Sequence, residues 1–264
     1  MENYIQDYYE NYDEDGRLAS RHGQVEFLTT MRYIEKYLSS GSRILEIGAG
    51  AGRYSHALAQ KGFAVDAVEL VPHNIEIFNS KTMPSEQISI RQGDARDLSE
   101  FSDGIYDLTL VLGPLYNVFT AEDKRQIIAE ALRVTKPGGV VFAAYCIADV
   151  SILNYGFRKG NIFSLMEPND VFGVEMPGYK PWSAPKAVFD LVRKEDIDEL
   201  MRGFTVERLH FVGVDLIMHM MNDTIDAMDD ETFAAYMEYH FFLCERSDMV
   251  GLTCHGLDIF RKSG

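Results

Sequence analysis

The stretch that decides the fold is Ile44-Leu45-Glu46-Ile47-Gly48-Ala49-Gly50-Ala51-Gly52-Arg53. A short apolar strand carries a carboxylate near its end and then breaks into glycines at alternate positions, after which residues 54–60 have a helical pattern. Glycines let the backbone turn sharply and let a ligand lie directly on the main chain. The next helix presents unpaired N–H groups. The stretch therefore predicts an α/β sheet with a ligand at the carboxyl end of its first strand.

The charge beside these glycines indicates which ligand. The dinucleotide fingerprint G-x-G-x-x-G requires a third glycine where this chain has Arg53. Glu46 precedes the first glycine by two residues, where a carboxylate would repel a pyrophosphate but hold an ammonium group. S-adenosyl-L-methionine fits this requirement, because it has a free amino acid end, a sulfonium, a ribose and an adenine, and no phosphate. The alternative is a glycine-rich turn that binds no ligand.

The next apolar strands also end in distinctive residues. The second strand, residues 64–70, has Glu69 near its end, and the third, residues 88–95, ends in Gly93-Asp94-Ala95. The fourth strand and its loop, residues 106–116, end in Gly113-Pro114-Leu115-Tyr116. A helix-to-strand turn follows at residues 133–139. In this order and spacing, the chain resembles the class I S-adenosylmethionine-dependent methyltransferases of bacterial small-molecule type. The resemblance covers roughly residues 43–145.

The resemblance implies roles for individual residues. Glu46 is expected to hold the methionine ammonium, Glu69 the ribose hydroxyls, and Asp94 the exocyclic amine of adenine. The expected cofactor-binding residues are Glu46, Gly48, Gly50, Gly52, Glu69, Leu70, Asp94, Ala95 and Leu112. Those expected to line the acceptor pocket are Gly113, Tyr116 and Tyr9. We expect no metal site, and the pattern names no catalytic residue.

The implied fold is a doubly wound α/β sheet of seven strands, mixed because the last strand is antiparallel, with helices on both faces. Apolar strands alternating with amphipathic segments favour the same architecture. We expect a single domain over residues 1–264, with an N-terminal helical cap at residues 1–40. Two insertions, residues 146–187 and 213–252, are expected to form lids or walls of the substrate pocket. For both, ordinary packing against the core is the alternative.

Composition restricts the partners. A formal charge of −16 over 264 residues disfavours a nucleic acid substrate, because phosphates must be met by Lys and Arg. No apolar run is long enough to span a membrane, and the first residues do not begin a signal peptide. Three cysteines without C-x-x-C spacing suggest reduced thiols in the cytoplasm. We expect a small-molecule substrate and a monomer or homodimer.

Methyl transfer from a sulfonium is an in-line displacement, so alignment and exclusion of water can supply most of the acceleration. His219 and His240 could act as a general base, although a lone histidine is more often structural. Gly113 replaces the polar residue that orients an amine in DNA methyltransferases, which also disfavours DNA. The alternatives to a small-molecule methyltransferase are an aminopropyl transferase and a non-catalytic cofactor-binding sensor or partner subunit.

Overall fold

The structure is a computed structural model that describes Ile5, Tyr8, Tyr9, residues 20–162 and residues 188–264. The strands are β1 (Arg43–Ile47), β2 (Ala64–Glu69), β3 (Ile88–Gln92), β4 (Tyr106–Val111), β5 (Thr135–Ile147), β6 (Leu191–Val192), β7 (Val206–Gly213) and β8 (His255–Lys262). The helices are α1 (Arg21–Glu35), α2 (Arg53–Gln60), α3 (Pro72–Lys81), α4 (Ala121–Val134), α5 (Ala148–Ser151), α6 (Lys194–Met201), α7 (Asn222–Asp226) and α8 (Asp230–Leu243).

All of these strands belong to one sheet. Its order is β3-β2-β1-β4-β5-β8-β7, and the two-residue β6 pairs with β5 beside this path. The pairs among β1 to β5 are parallel, whereas β8 runs antiparallel to both β5 and β7. The predicted seven-stranded mixed sheet with an antiparallel last strand is therefore confirmed, and β6 is an addition that the sequence did not indicate.

Side chains that alternate along β1 give both faces of the sheet an apolar surface on which helices pack. Leu45 and Ile47 pack into the core under α4, with Ile127 and Ile128. Ile44 points to the opposite face, into the core formed with α1 and α2. Side chains alternate across a strand, so Glu46 shares the face of Ile44. The predicted helices on both faces are confirmed.

The carboxyl ends of the parallel strands meet at one edge of the sheet. Because β8 is antiparallel, its first residue lies at this edge. This residue, His255, pairs with Cys146 near the end of β5. The end of β7 lies there too, since Gly213 pairs with Gly256. Ligands bind at such an edge in open α/β sheets. Residues at the ends of β1 to β5 and β7 and at the start of β8, seven strands in all, can therefore contribute to one site.

The second insertion, residues 213–252, is largely helical. It contains the 3₁₀ helix Leu216–Met220 together with α7 and α8. Met218, Phe233 and Met237 are buried in a small cluster with Val25 of α1, so these side chains of the insertion form ordinary core. Of the first insertion, the structure describes α5, the π-helix Ile152–Arg158 and the residues up to 162. The rest of this predicted lid or wall, residues 163–187, lies outside the described residues.

Candidate functional site

A cavity of about 670 Å³ opens at the carboxyl edge of the sheet. Ligand sites are typically about 300–1,000 Å³. The expected site residues that line the cavity are Glu46, Gly48, Gly50, Glu69, Leu70, Asp94, Ala95, Leu112, Gly113, Tyr116 and Tyr9. The structure therefore brings together residues that sequence reasoning drew from four strand ends and the N-terminal segment.

The glycine loop requires glycine for steric reasons at two positions. Gly48 has a φ of +73°, and a Cβ there would lie 2.6 Å from Pro114 Cδ. Gly52 has a φ of +83°, and a Cβ there would lie 2.3 Å from Phe78 Cδ2. Such contacts are prohibitive, and L residues avoid this backbone region. Gly52 is not among the residues that line the cavity, so its contacts indicate that it lets α2 begin against α3.

Glu46 is almost completely buried on the floor of the cavity, with 1% of its surface exposed. Ser55 Oγ, on α2, donates a hydrogen bond to its carboxylate. Burial raises the pKa of Glu46 to about 8, against the opposing effect of Ser55 and with a further contribution from nearby Glu69. A bound cation would return this carboxyl group to its ionised form.

Glu69 is the second buried carboxylate at the site, and the backbone of the glycine loop holds it in place. Gly50 N donates to one carboxylate oxygen at 2.8 Å, and Val71 N donates to the other at 2.9 Å. Asn74 Nδ2 contacts the second oxygen at 3.3 Å. Burial raises the pKa of Glu69 despite these donors. A carboxylate offers about four acceptor positions, so capacity remains for a ligand hydroxyl.

Asp94 follows β3 and forms an ion pair with a residue that sequence reasoning did not single out. Arg96 Nε lies 3.0 Å from Asp94 Oδ1, and Arg96 Nη1 lies 3.1 Å from Asp123 Oδ1. The hydrogen bonds from Arg96 hold the pKa of Asp94 below its usual range, although burial opposes this effect. Asp94 is therefore an ionised acceptor at this side of the cavity, beside Ala95.

Arg53 is the residue that stands where a dinucleotide site would have its third glycine. It lines the cavity, and its guanidinium carbon lies 4.6 Å from the centre of the Phe27 ring. Its Nε is buried and has no hydrogen-bond partner in the described part of the chain. A buried donor without a partner is costly. Arg53 and Glu46 thus provide one charge of each sign, as a zwitterionic amino acid group requires.

The residues expected to line the acceptor pocket form an aromatic wall. Tyr116 Oη donates to Leu112 O at 2.8 Å, which fixes the ring beside Gly113. Phe189 packs edge-on against both Tyr116 and Tyr8, with ring centroids 5.8 and 5.6 Å apart, and Tyr8 in turn contacts Tyr9. The described part of the N-terminal segment therefore lies over this side of the cavity. The other tyrosines of this segment, Tyr4 and Tyr12, lie outside the described residues.

Sequence reasoning missed a charged cluster at the same cavity. Glu26 of α1 and His255 of β8 both line it, with Glu26 Oε2 at 3.7 Å from His255 Nδ1. The same nitrogen lies 2.6 Å from Oδ2 of Asp215, whose side chain is fully buried. His219 Nε2 contacts that oxygen at 3.1 Å. These residues are far apart in sequence, and only the spacing of Asp215 and His219 could have hinted at the cluster.

The two histidines named from the sequence are not at the cavity surface. His219 is not among the residues that line it and instead supports Asp215. His240 is buried on α8, and burial lowers its pKa to about 4, so that it is neutral at physiological pH.

The cysteines Cys146, Cys244 and Cys254 are free and buried. No helix in the described ranges has both the length and the apolar character that crossing a membrane would require.

Comparisons with known proteins agree with this geometry. A family model described as a methyltransferase domain matches residues 45–143. The Bacillus subtilis (strain 168) protein YqeM is 31% identical over 124 residues, which are 45% of this chain and 50% of that protein. A ubiquinone biosynthesis O-methyltransferase of Xanthomonas campestris pv. campestris (strain B100) is 30% identical over 103 residues, 39% of this chain and 42% of that one. The chain spans about half the length of the curated relatives it matches.

Among solved structures, an S-adenosylmethionine-dependent methyltransferase from Methanosarcina mazei is similar with a TM-score of 0.57 and 18% sequence identity. The alignment covers 88% of this chain and 97% of that structure. At this identity the likeness shows the fold alone. It extends the similarity beyond the region that the family model matches.

Proposed function

The chain belongs to the class I S-adenosylmethionine-dependent methyltransferases, and from this membership we propose that it transfers a methyl group to a small-molecule acceptor. S-adenosyl-L-methionine is the cofactor that the membership implies. The observation that carries the proposal is the pair of buried carboxylates, Glu46 and Glu69, at neighbouring strand ends around the glycine loop. No nucleotide phosphate would be held by that pair.

We propose the following binding arrangement. Glu46 holds the ammonium of the methionine moiety, while the unpartnered Nε of Arg53 meets its carboxylate. Glu69 accepts from the ribose hydroxyls, and Asp94 and the backbone of Ala95 bind the adenine. Gly48 and Gly50 leave the backbone bare along this path, with Leu70 and Leu112 as apolar walls.

When bound, the cofactor supplies a sulfonium methyl group and a neutral thioether leaving group. The work of the protein is then to align the acceptor with that methyl group and to exclude water. We propose that Gly113, Tyr116 and Tyr9 line the acceptor space, with the N-terminal residues 1–40 as a cap and residues 146–187 and 213–252 as lids. The edge-on packing of Tyr8 and Tyr116 against Phe189 supports the position of the N-terminal cap over the acceptor space.

The remaining expectations follow from charge and cysteine content. The net charge of −16 supports a substrate other than nucleic acid. Three free cysteines support a cytoplasmic location. We propose a monomer or homodimer acting on a freely diffusing small molecule.

The proposal is tested in two steps with the full chain. Calorimetry should detect binding of S-adenosylmethionine and none of NAD, and radiolabelled methyl groups should then appear in the small-molecule fraction of a metabolite extract. Binding without incorporation into any fraction would favour the sensor. Tight binding of NAD would contradict the electrostatic argument as a whole.

The carboxylate of the cofactor distinguishes the proposed methyltransferase from an aminopropyl transferase. Its decarboxylated cofactor lacks the group that we assign to Arg53. Wild type should therefore bind S-adenosylmethionine more tightly than the decarboxylated form, and Arg53→Met should remove that preference. A wild-type preference for the decarboxylated form would favour the aminopropyl transferase.

A further inference from the structure

The charged cluster of Glu26, His255 and Asp215 has no part in the proposed cofactor arrangement. Glu26 and His255 reach the cavity from α1 and β8, whereas the proposed cofactor residues lie in or directly after β1 to β4. In sheet order, β5 separates β4 from β8. The cluster therefore lies on the side of the cavity that the cofactor residues leave for the acceptor.

Asp215 anchors the cluster. One of its oxygens accepts from Thr253 Oγ1 and from the backbone N–H groups of Cys254, at 2.9 Å, and His255, at 3.2 Å. The other accepts from the two histidine rings described above. Leu216, the next residue, has a φ of +40°, a strained conformation for leucine. The turn after β7 is thus shaped to present this carboxylate to β8.

The distances favour a hydrogen-bonded cluster over a metal centre. Ligand atoms about 2.1 Å from a tetrahedral zinc ion lie about 3.4 Å apart. The contact of 2.6 Å between His255 Nδ1 and Asp215 Oδ2 has hydrogen-bond length instead. Asp215 also has both of its oxygens occupied by donors.

The cluster contains charges of both signs. Burial alone would lower the pKa of His255, but the facing carboxylates of Glu26 and Asp215 raise it well above its usual value. Burial alone would raise the pKa of Asp215, but His255 and His219 hold it well below its usual range. His255 is therefore an imidazolium at neutral pH. The titratable groups that face His255 or Asp215 are Glu26 on α1, His219 and Cys254 beside Asp215, Cys146 on β5, and Tyr236 and His240 on α8.

A carboxylate and an imidazolium side by side select the chemistry of an acceptor. Glu26 attracts a cation that His255 repels, and the reverse holds for an anion, so a singly charged ligand gains little from the pair. A neutral hydroxyl group can donate to the Glu26 carboxylate, while the positive charge of His255 stabilises its oxygen. The pair therefore favours an acceptor that is neutral when it binds and becomes an oxyanion when it reacts.

Resting on the proposed methyl transfer, we propose that Glu26 and His255 bind the acceptor as a compound with an acidic hydroxyl group, a phenol or an enol. The hydroxyl proton passes to the Glu26 carboxylate and later to water. The oxygen forms a bond to the methyl carbon, the sulfur–carbon bond breaks, and its electron pair remains on sulfur. His255 holds the developing oxyanion, and Asp215 is a positioning residue that keeps the ring oriented and charged. The products are a methyl ether, the thioether and one proton.

Three probes of similar shape test the charge selection. Phenol, benzoate and benzylamine are neutral, anionic and cationic at pH 7, and ligand-detected NMR can rank their binding to the complex with S-adenosylhomocysteine. Wild type should bind phenol most tightly. Tighter binding of benzoate or benzylamine would overturn the proposal. Failure of S-adenosylhomocysteine itself to bind would instead overturn the proposed function on which it rests.

Two substitutions should reorder the probes in opposite directions. Glu26→Gln should strengthen benzoate binding by about tenfold, and His255→Asn should strengthen benzylamine binding by a similar factor, because each removes one repelling charge. His210→Asn is the matched control, since His210 contacts Glu245 at 2.7 Å but is not among the cavity-lining residues. It should leave the order unchanged. An unchanged order in the first two variants would overturn the proposal.

The charge of His255 can be measured without activity. In a ¹⁵N NMR titration, the wild-type ring should remain protonated well above pH 6.5, and Asp215→Asn should move its titration back towards that value. A wild-type ring that titrates near 6.5 would overturn the proposal, whether or not the variant folds.

Discussion

The two sides of the cavity are built in different ways. On the cofactor side, Glu46, the glycine loop and Glu69 lie within 24 residues, and backbone N–H groups position the second carboxylate. On the acceptor side, Glu26, Asp215 and His255 come from α1, the turn after β7 and the start of β8. A local motif can specify the first side, whereas only the sheet topology assembles the second.

The two sides also differ in electrostatics. Burial raises the pKa of Glu46 to about 8, with no cation among its described hydrogen-bond partners. Asp215 is equally buried, yet the histidines beside it hold its pKa well below the usual range. The first carboxylate therefore needs a ligand that brings a positive charge, while the second already has its counter-charge in the protein. This contrast supports assigning the ammonium of the cofactor to Glu46.

The largest expected effect is on stability, and it tests whether a buried ion pair holds together β7 and β8, the two strands that support the acceptor side. Asp258 of β8 is fully buried, and Arg208 of β7 contacts it through Nε and Nη2, each at 2.8 Å. Asp258→Ala should lower the free energy of unfolding by about 3–5 kcal/mol, because it removes two hydrogen bonds between charged groups, although Arg208 keeps Asp198 as a second partner. Urea denaturation measures this change.

Glu207→Ala is the matched control on the same strand pair. Glu207 contacts Arg261 at 2.7 Å in an exposed pair. Its loss should cost at most about 1 kcal/mol. Equal effects of the two substitutions would show that the buried pair does not hold β7 against β8.

The next effect concerns the cofactor side. Glu69→Ala removes the proposed acceptor of the ribose hydroxyls, and each charged hydrogen bond contributes about 1.5–3 kcal/mol. The dissociation constant of S-adenosylmethionine should therefore rise by about tenfold or more for each bond lost. Calorimetry with Glu76→Ala, an exposed glutamate of α3, provides the control. Unchanged affinity in Glu69→Ala would remove this residue from the site.

The contrast between the two sides explains how far sequence reasoning reached. The doubly wound mixed sheet, its antiparallel last strand and the convergence of Glu46, Glu69 and Asp94 on one edge follow from local motifs in a known spacing. Gly52 was also singled out, but it packs against Phe78 rather than lining the cavity. A glycine pattern shows where bare backbone is needed without showing what approaches it.

The charged cluster of Glu26, Asp215 and His255 escaped prediction because no local pattern marks it. His255 is simply the first residue of an apolar strand, and Glu26 is one polar residue of an amphipathic helix. Their meeting depends on β8 running antiparallel beside β5, which brings its first residue to the ligand edge. Similarly, Arg53 was recognised only as a missing glycine, and its unpartnered Nε is visible only in three dimensions.

A smaller effect links the two sides through Gly48, whose added Cβ would meet Pro114, the residue after Gly113. Gly48→Ala should weaken S-adenosylmethionine binding by roughly tenfold, since the left-handed conformation alone costs about 1–2 kcal/mol and the loop must also shift. Gly62→Ala is the control, with a φ of +90° and no atom of the described residues within 4 Å of an added Cβ. Both variants should lose stability on thermal unfolding, but only the first should lose affinity. Equal calorimetric affinities would mean that the loop position does not govern cofactor binding.

The last prediction is a pH dependence of cofactor binding, and it addresses the electrostatic contrast directly. Because the pKa of Glu46 is raised to about 8, the free carboxyl group is largely protonated below that pH and must lose its proton to hold an ammonium. The affinity for S-adenosylmethionine should therefore rise from pH 6 to 8, by at most about tenfold per pH unit. It should fall at higher pH, where an α-amino group loses its own proton at about 7.7–8.0. Glu46→Gln should keep the fall and lose the rise. A wild-type affinity that is flat from pH 6 to 8 would mean that Glu46 is already ionised without the ligand, so that the two carboxylates would no longer differ.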